Sequence, residues 1–93
     1  MLRIHLEEKC ESVTIRLEGK IAGDWVEELE RCCQEVLARR QSCPVVIELD
    51  EVIVVDGEGE ALLQQMHRAG FVLRGRGMHS QDLVERILQR LAG

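Results

Sequence analysis

The hydrophobic and polar positions of the chain follow two different periods. Segments 2–6 and 13–18 alternate residue by residue, which is typical of half-buried strands joined as an antiparallel hairpin. Segment 45–55 is almost continuously apolar, broken only by the polar pair at 50–51, and it predicts a central strand covered on both faces. Segment 71–73 predicts a further short strand.

Between and after these strands, apolar residues recur at steps of three and four, which is typical of amphipathic helices. The first helix is predicted from Asp24 to about Gln41, with Trp25 placed to close the end of the core. The second follows the glycine-rich turn after residue 55. The third is predicted from Ser80, taken as its N-cap, to Leu91, which is counted in its buried stripe. The order β-β-α-β-α-β-α predicts a single α/β domain, residues 1–93, with a mostly parallel central sheet.

The turn at 56–60 is the first place to look for function, because ligands and partners meet α/β domains at the carboxyl ends of strands. Five carboxylates fall within eleven residues: Asp50, Glu51, Asp56, Glu58 and Glu60. Three interpretations stay open. The acids form a solvated helix N-terminus that meets the positive end of the helix dipole, a recognition surface of fixed negative charge, or a divalent-cation site. The third interpretation lacks the EF-hand loop pattern.

The net charge of −5 argues against binding nucleic acid or docking on an anionic membrane, since both contacts favour basic surfaces. No apolar run approaches the roughly 18 residues that would suggest a membrane span. The charged, alternating N-terminus does not resemble a signal peptide. We therefore expect a cytoplasmic protein.

The cysteines and histidines form no motif of a metal site or a catalytic triad. They are Cys10, Cys32, Cys33, Cys43, His5, His67 and His79. Without a CxxC pair or a zinc spacing, the cysteines are predicted to be reduced thiols that act mostly as small hydrophobes. The sequence predicts no catalytic residue, no metal site and no cofactor, and hence no enzyme.

Three segments resemble the STAS family, the sulphate transporter and anti-sigma factor antagonist domains. VTIRLEGKIAG resembles the family's second strand, and GFVLRGRG resembles a later βα unit. VVIELDEVIVVDGEGEALL resembles the central strand, acidic turn and helix, whose usual form is I-D-S-S-G-L-x-x-L. The resemblance covers residues 12–91. It implies a STAS-like fold, truncated at the C-terminus relative to the many members that add a further strand and helix.

In that family, a partner anti-sigma kinase phosphorylates the first serine of the turn, and the phosphate switches partner binding. Asp56 and Gly59 keep the family's aspartate and glycine. Gly57 stands at the position of the phosphorylated serine, and Glu58 at that of the second serine. Because glycine has no hydroxyl, the resemblance implies a member without the phosphoserine switch.

The combined prediction is a non-enzymatic module that binds a protein partner, such as an anti-sigma factor or a sensor-kinase-like protein, in bacterial signalling or transcription regulation. The predicted contact residues are Lys20, Ala22, Asp56, Gly57, Glu58, Gly59 and Glu60. Two alternatives stay open. A small anion or nucleotide would bind Arg74, Arg76 and Ser80 at the N-terminus of the last helix. A homodimer would form through a sheet edge or through a helix face left bare by the short C-terminus.

Overall fold

The computed structural model describes residues 1–39 and 43–92, the last three of these by their backbone alone. The strands are β1 (Leu2–Glu8), β2 (Val13–Ile21), β3 (Val45–Val55) and β4 (Val72–Arg74), and the helices are α1 (Asp24–Arg39), α2 (Gly57–Arg68) and α3 (Met78–Ala92). This order confirms the predicted β-β-α-β-α-β-α arrangement. The predicted positions Arg40 and Gln41 of the first helix, and the side chain of Leu91, lie outside what is described.

The four strands form one mixed sheet in the order β1-β2-β3-β4. β1 and β2 are antiparallel, as the short connection between them requires, while β2, β3 and β4 run parallel to one another. β3 therefore lies inside the sheet, as predicted. Because the parallel strands point the same way, the segments that follow β2 and β3 begin at the same end of the sheet.

The helices cover one face of the sheet, so the prediction that β3 is covered on both faces is wrong. In β2, Val13, Ile15 and Leu17 are fully buried and alternate with residues that are exposed or half-buried. The three helices pack side by side over this face, α1 against α2 and α2 against α3. The apolar run of β3 suggested two covered faces because it includes Ile53 and Val54, which remain 65% and 45% exposed.

β3 is one continuous strand that runs through the polar pair at 50–51, as predicted for segment 45–55. Within it, the pairing of β2 with β3 shifts register between Arg16 and Glu18, and again between Gly19 and Lys20. Each shift places one extra residue on β3, which is the pattern of a β-bulge. Asp50 lies within the first of these bulges, and its side chain accepts hydrogen bonds from the loop that follows β4.

The apolar stripe of α1 forms as predicted, with Val26, Leu29, Cys33 and Val36 buried. Trp25 does not close the end of the core, however, because it is 40% exposed in the first turn of the helix. Its large ring lies instead on the surface at the end of the sheet where β2 gives way to α1.

Candidate partner-binding site

The acidic turn between β3 and α2 is held in place by Asp56. This residue is the N-cap of α2, and its Oδ1 accepts a hydrogen bond from Gly59 N at 2.7 Å. Its Oδ2 accepts a second hydrogen bond, from Gly23 N at 3.0 Å. The backbone N of Asp56 donates to the carbonyl oxygen of Ile21, also at 3.0 Å. One aspartate thus ties the end of β2, the connection to α1 and the start of α2 together.

The same hydrogen bonds lower the pKa of Asp56, with the largest effect from the Gly59 N–H and the next from the Gly23 N–H. A hydrogen bond donated to a carboxylate favours its charged form. The charge also lies at the positive end of the α2 dipole. Since both carboxylate oxygens have partners within the chain, Asp56 shapes the turn rather than offering a free carboxylate to another molecule.

The two glycines of the turn have different surroundings. A Cβ at Gly59 would lie 2.8 Å from the carbonyl oxygen of Ile21 and 3.0 Å from Cγ1 of Val55. Only glycine fits there without a shift, because the start of α2 lies close against the sheet. A Cβ at Gly57 would meet no atom within 4 Å, and Gly57 is exposed. A serine would fit at position 57, so its absence is not a matter of space.

The two glutamates of the turn point to different places. Glu58 is exposed, as predicted. The side chain of Glu60 is only 8% exposed, and its Oε1 accepts a hydrogen bond from Nε of Arg86 on α3 at 3.1 Å. Gly59 and Glu60, both predicted as contact residues, are buried in the first turn of α2. A sequence signal existed for Glu60, because it stands one helical step before Leu63 on the stripe of α2 that faces α3.

Lys20 and Ala22 lie at the same end of the sheet as the turn, because Asp56 binds the backbone on both sides of Ala22. Lys20 is exposed near the end of β2, and Ala22 is half-buried just beyond it. Trp25 follows in α1, and its backbone N donates to the Ala22 carbonyl oxygen at 3.3 Å.

We call the solvent-accessible part of this surface the rim. It consists of Lys20, Ala22, Trp25, Gly57 and Glu58. Trp25 is the one rim residue that the sequence analysis did not predict as a contact. Tryptophan is enriched among the residues that dominate binding at protein interfaces. The sequence feature that could have predicted Trp25 as a contact is its position two residues after Gly23.

A second carboxylate, that of Asp50 on β3, organises the loop between β4 and α3. Its Oδ1 accepts hydrogen bonds from Arg76 N at 2.7 Å, Gly77 N at 3.1 Å and Ser80 Oγ at 2.7 Å. These bonds lower the pKa of Asp50, the one from Ser80 most strongly. Ser80 is buried within the first turn of α3, which begins at Met78, so its prediction as the N-cap is wrong.

The predicted anion site at Arg74, Arg76 and Ser80 already faces carboxylates of the chain itself. Asp50 takes the backbone donors and the Ser80 hydroxyl. Glu48 on β3 accepts a hydrogen bond from Nη2 of Arg74, and Nη2 of Arg76 lies 4.0 Å from the same glutamate oxygen. Among the described residues, Nε of Arg74 remains a buried donor without a partner. The anion-binding alternative thereby loses most of the free donors on which it depends.

Residues 1–39 and 43–92 contain no group of three or more His, Cys, Asp or Glu side chains placed to hold a metal ion. No helix in these ranges has the length and apolar character needed to cross a membrane. Burial raises the pKa of Cys33 to about 12 and is also the main cause of the raised pKa of Cys32. Because the thiolate is the reactive form, both cysteines are poor nucleophiles at neutral pH. Cys10, by contrast, is exposed.

Comparison with known proteins identifies the fold. No family model and no curated protein sequence matches the chain. Solved structures do match the chain. The chain is similar to the anti-sigma factor antagonist SpoIIAA in its unphosphorylated form, with a TM-score of 0.68 and 16% sequence identity over 98% of this chain and 99% of that one. The chain therefore has a STAS-like fold.

Two further structures agree. One is an uncharacterized protein with a SpoIIAA-like fold from Shewanella loihica, with a TM-score of 0.62 and 17% identity over 97% of this chain and 79% of that one. The other is an anti-sigma factor antagonist STAS domain from Rhodobacter sphaeroides, with a TM-score of 0.51 and 18% identity over 85% of this chain and 89% of that one. At these identities the likeness concerns the fold.

Proposed function

We propose that this chain is a non-enzymatic protein-interaction module that acts in the cytoplasm, in bacterial signalling or transcription regulation. Its rim binds a protein partner, namely an anti-sigma factor or a sensor-kinase-like protein. The fold it shares with anti-sigma factor antagonists supports this class of function. The observation that carries the proposal is the rim. Its turn at Gly57 and Glu58 is exposed, and two hydrogen bonds to the Asp56 carboxylate hold that turn in place.

The rim has the chemistry of a protein contact. Trp25 supplies a large, partly exposed aromatic surface, while Lys20 and Glu58 supply one charge of each sign. Aromatic anchors provide binding energy, and charges mainly set orientation and association rate. The exposed backbone at Gly57 allows a partner to approach closely, because no side chain stands in the way.

The site acts without a phosphoserine switch. Position 57 carries no hydroxyl to accept a phosphoryl group, and Glu58 provides one fixed carboxylate beside it. Partner binding is therefore governed by the amounts of the two proteins and by the partner's own state, not by modification of this turn.

Site-specific photo-crosslinking tests the proposal. A photoreactive residue replaces Glu58 on the rim or, as a matched control, Glu85, which is exposed on α3. In cells of the source organism we expect position 58 to form one discrete adduct with an anti-sigma factor or a histidine-kinase-like protein. We expect position 85 to form none. Identification of the adduct by mass spectrometry decides the partner class.

The charge variants Glu58→Lys and Glu85→Lys sharpen this test. With the crosslinker placed at Lys20, we expect Glu58→Lys to weaken the adduct and Glu85→Lys to leave it unchanged. Equal labelling from positions 58 and 85 would show that the rim is not the binding surface. So would an adduct from position 20 whose yield is unchanged by Glu58→Lys.

A further inference from the structure

Within residues 1–39 and 43–92, the sheet has one long free edge. It ends in β1 on one side and in β4 on the other, and β4 has three residues while β1 has seven. A free edge strand presents unpaired backbone N–H and C=O groups that can pair with another strand. One way in which proteins protect such edges is to keep the edge strand short. β4 is short in this sense, whereas β1 is not.

The charges along β1 are complementary to a second copy of the same strand. Arg3, His5 and Glu7 alternate with the apolar residues and lie on the face of the sheet without helices. An antiparallel pairing of two β1 strands centred on His5 places Arg3 of each copy opposite Glu7 of the other. Opposite charges directly across a strand pair stabilise it, and like charges destabilise it.

Neither Arg3 nor Glu7 has a strong partner among the described residues. Arg3 forms no ion pair with any described residue. Glu7 lies 3.5 Å from Nζ of Lys9, and both of these side chains are more than half exposed. Surface pairs of this kind contribute little to stability, so Arg3 and Glu7 are free to pair with a second copy.

The other face of β1 matches the same pairing. Ile4 is half-buried, and Leu6 is 41% exposed beside the surface of α1. When two β1 strands pair around His5, Ile4 of each copy lies opposite Leu6 of the other. This contact covers apolar surface that a single copy leaves in water.

From these observations we propose that the chain forms a homodimer through antiparallel pairing of two β1 strands, which joins the two sheets into one of eight strands. The proposal goes beyond partner binding, because the contact uses β1 and leaves the exposed rim residues Glu58 and Trp25 outside it. One strand from each copy makes a small interface, so the dimer is weak, with a dissociation constant in the micromolar range.

Charge exchange tests the pairing by analytical ultracentrifugation over a range of concentrations. Arg3→Glu places two glutamates opposite each other at both ends of the seam, and Glu7→Arg places two arginines there. We expect each variant to raise the dissociation constant about tenfold or more. The double variant, Arg3→Glu with Glu7→Arg, restores the dimer. An equal mixture of the two single variants forms a heterodimer, because each supplies the charges that the other lacks.

The controls separate pairing from folding. Arg3 lies opposite Glu18 within the sheet, and Glu7 lies opposite the uncharged Thr14 but 3.5 Å from Nζ of Lys9, so both single variants are checked by thermal melting. Glu85→Arg, near the β4 side of the sheet, leaves dimerisation unchanged. A chain that stays monomeric at millimolar concentration overturns the proposal. So does a dimer that survives both single reversals, or one that neither the double variant nor the mixture restores.

Discussion

The turn at Asp56 and the loop at Asp50 are built on the same principle with different results. Asp50 lies on β3 and Asp56 directly follows it, and both accept hydrogen bonds from backbone N–H groups of other segments. In the Asp50 loop, neighbouring polar side chains pair within the chain: Ser80 with Asp50, and Arg74 with Glu48. In the Asp56 turn, the carboxylate holds the backbone and the outer residues stay exposed.

The comparison teaches that acidic residues close together in sequence need not act together. Asp50 and Asp56 fix loops, Glu60 is buried against α3, and of the five carboxylates only Glu51 and Glu58 are exposed. The cluster is therefore not one recognition patch. Only the carboxylates that do not hold the fold together are available to bind another molecule. Single variants can separate these structural carboxylates from the exposed ones.

The largest expected effect separates the two glutamates of the turn. Glu60→Lys buries a cation beside Arg86, so we expect it to lower the free energy of unfolding by about 3–5 kcal/mol. The exposed Glu58→Lys should change it by no more than about 1 kcal/mol, most of which comes from the lost interaction with the helix dipole. Urea denaturation measures both. If the two variants were equally stable, the burial of Glu60 against α3 would be incorrect.

The next effect separates the two glycines. Gly59→Ser forces the start of α2 away from Ile21 and Val55, and we expect a loss of about 1–3 kcal/mol. Gly57→Ser meets open space and should stay within about 0.5 kcal/mol of the wild type. Thermal melting gives both values. A large loss for Gly57→Ser would mean that position 57 is structurally constrained and not only chemically altered.

The sequence was sufficient to predict the elements and their order, because periodicity is a local signal. It also located the turn, since a strand end, an aspartate and two glycines are close together in the chain, but the role of Asp56 as the N-cap of α2 came from the structure. It did not reveal the ion pair of Glu60 with Arg86, or the hydrogen bond between Asp50 and Ser80. These partners are 26 and 30 residues apart, and only the packing of α3 brings them together.

The number of covered faces was mispredicted for a related reason. Hydrophobicity at Ile53 and Val54 does not reveal whether a helix lies over them, and both remain largely exposed. The two bulges in β3 add to the difficulty, because each shifts the alternation by one residue. Local pattern therefore predicts that a residue lies on a strand more securely than it predicts which face the residue occupies.

The smallest expected effect is on acid stability, and it compares the two aspartates directly. Hydrogen bonds hold the pKa of both below the ordinary value of 3.8. Such a carboxylate stabilises the fold fully above its unfolded pKa, and this contribution is lost as the pH falls through its folded pKa. Asp50→Asn and Asp56→Asn should therefore be less stable than the wild type at about pH 7 and approach it below about pH 3.

We expect Asp50→Asn to show the larger effect of the two, because Asp50 accepts from two backbone N–H groups and from the buried hydroxyl of Ser80, whereas the hydrogen bonds to Asp56 come from backbone N–H groups. Denaturant midpoints at several pH values measure the difference. Asp82→Asn, at an exposed position of α3, is the matched control and should follow the wild type at every pH. If all three variants followed the wild type, the hydrogen bonds to Asp50 and Asp56 would not be the cause of the acid sensitivity of the fold. The Asp56 turn would then have to be held by other contacts.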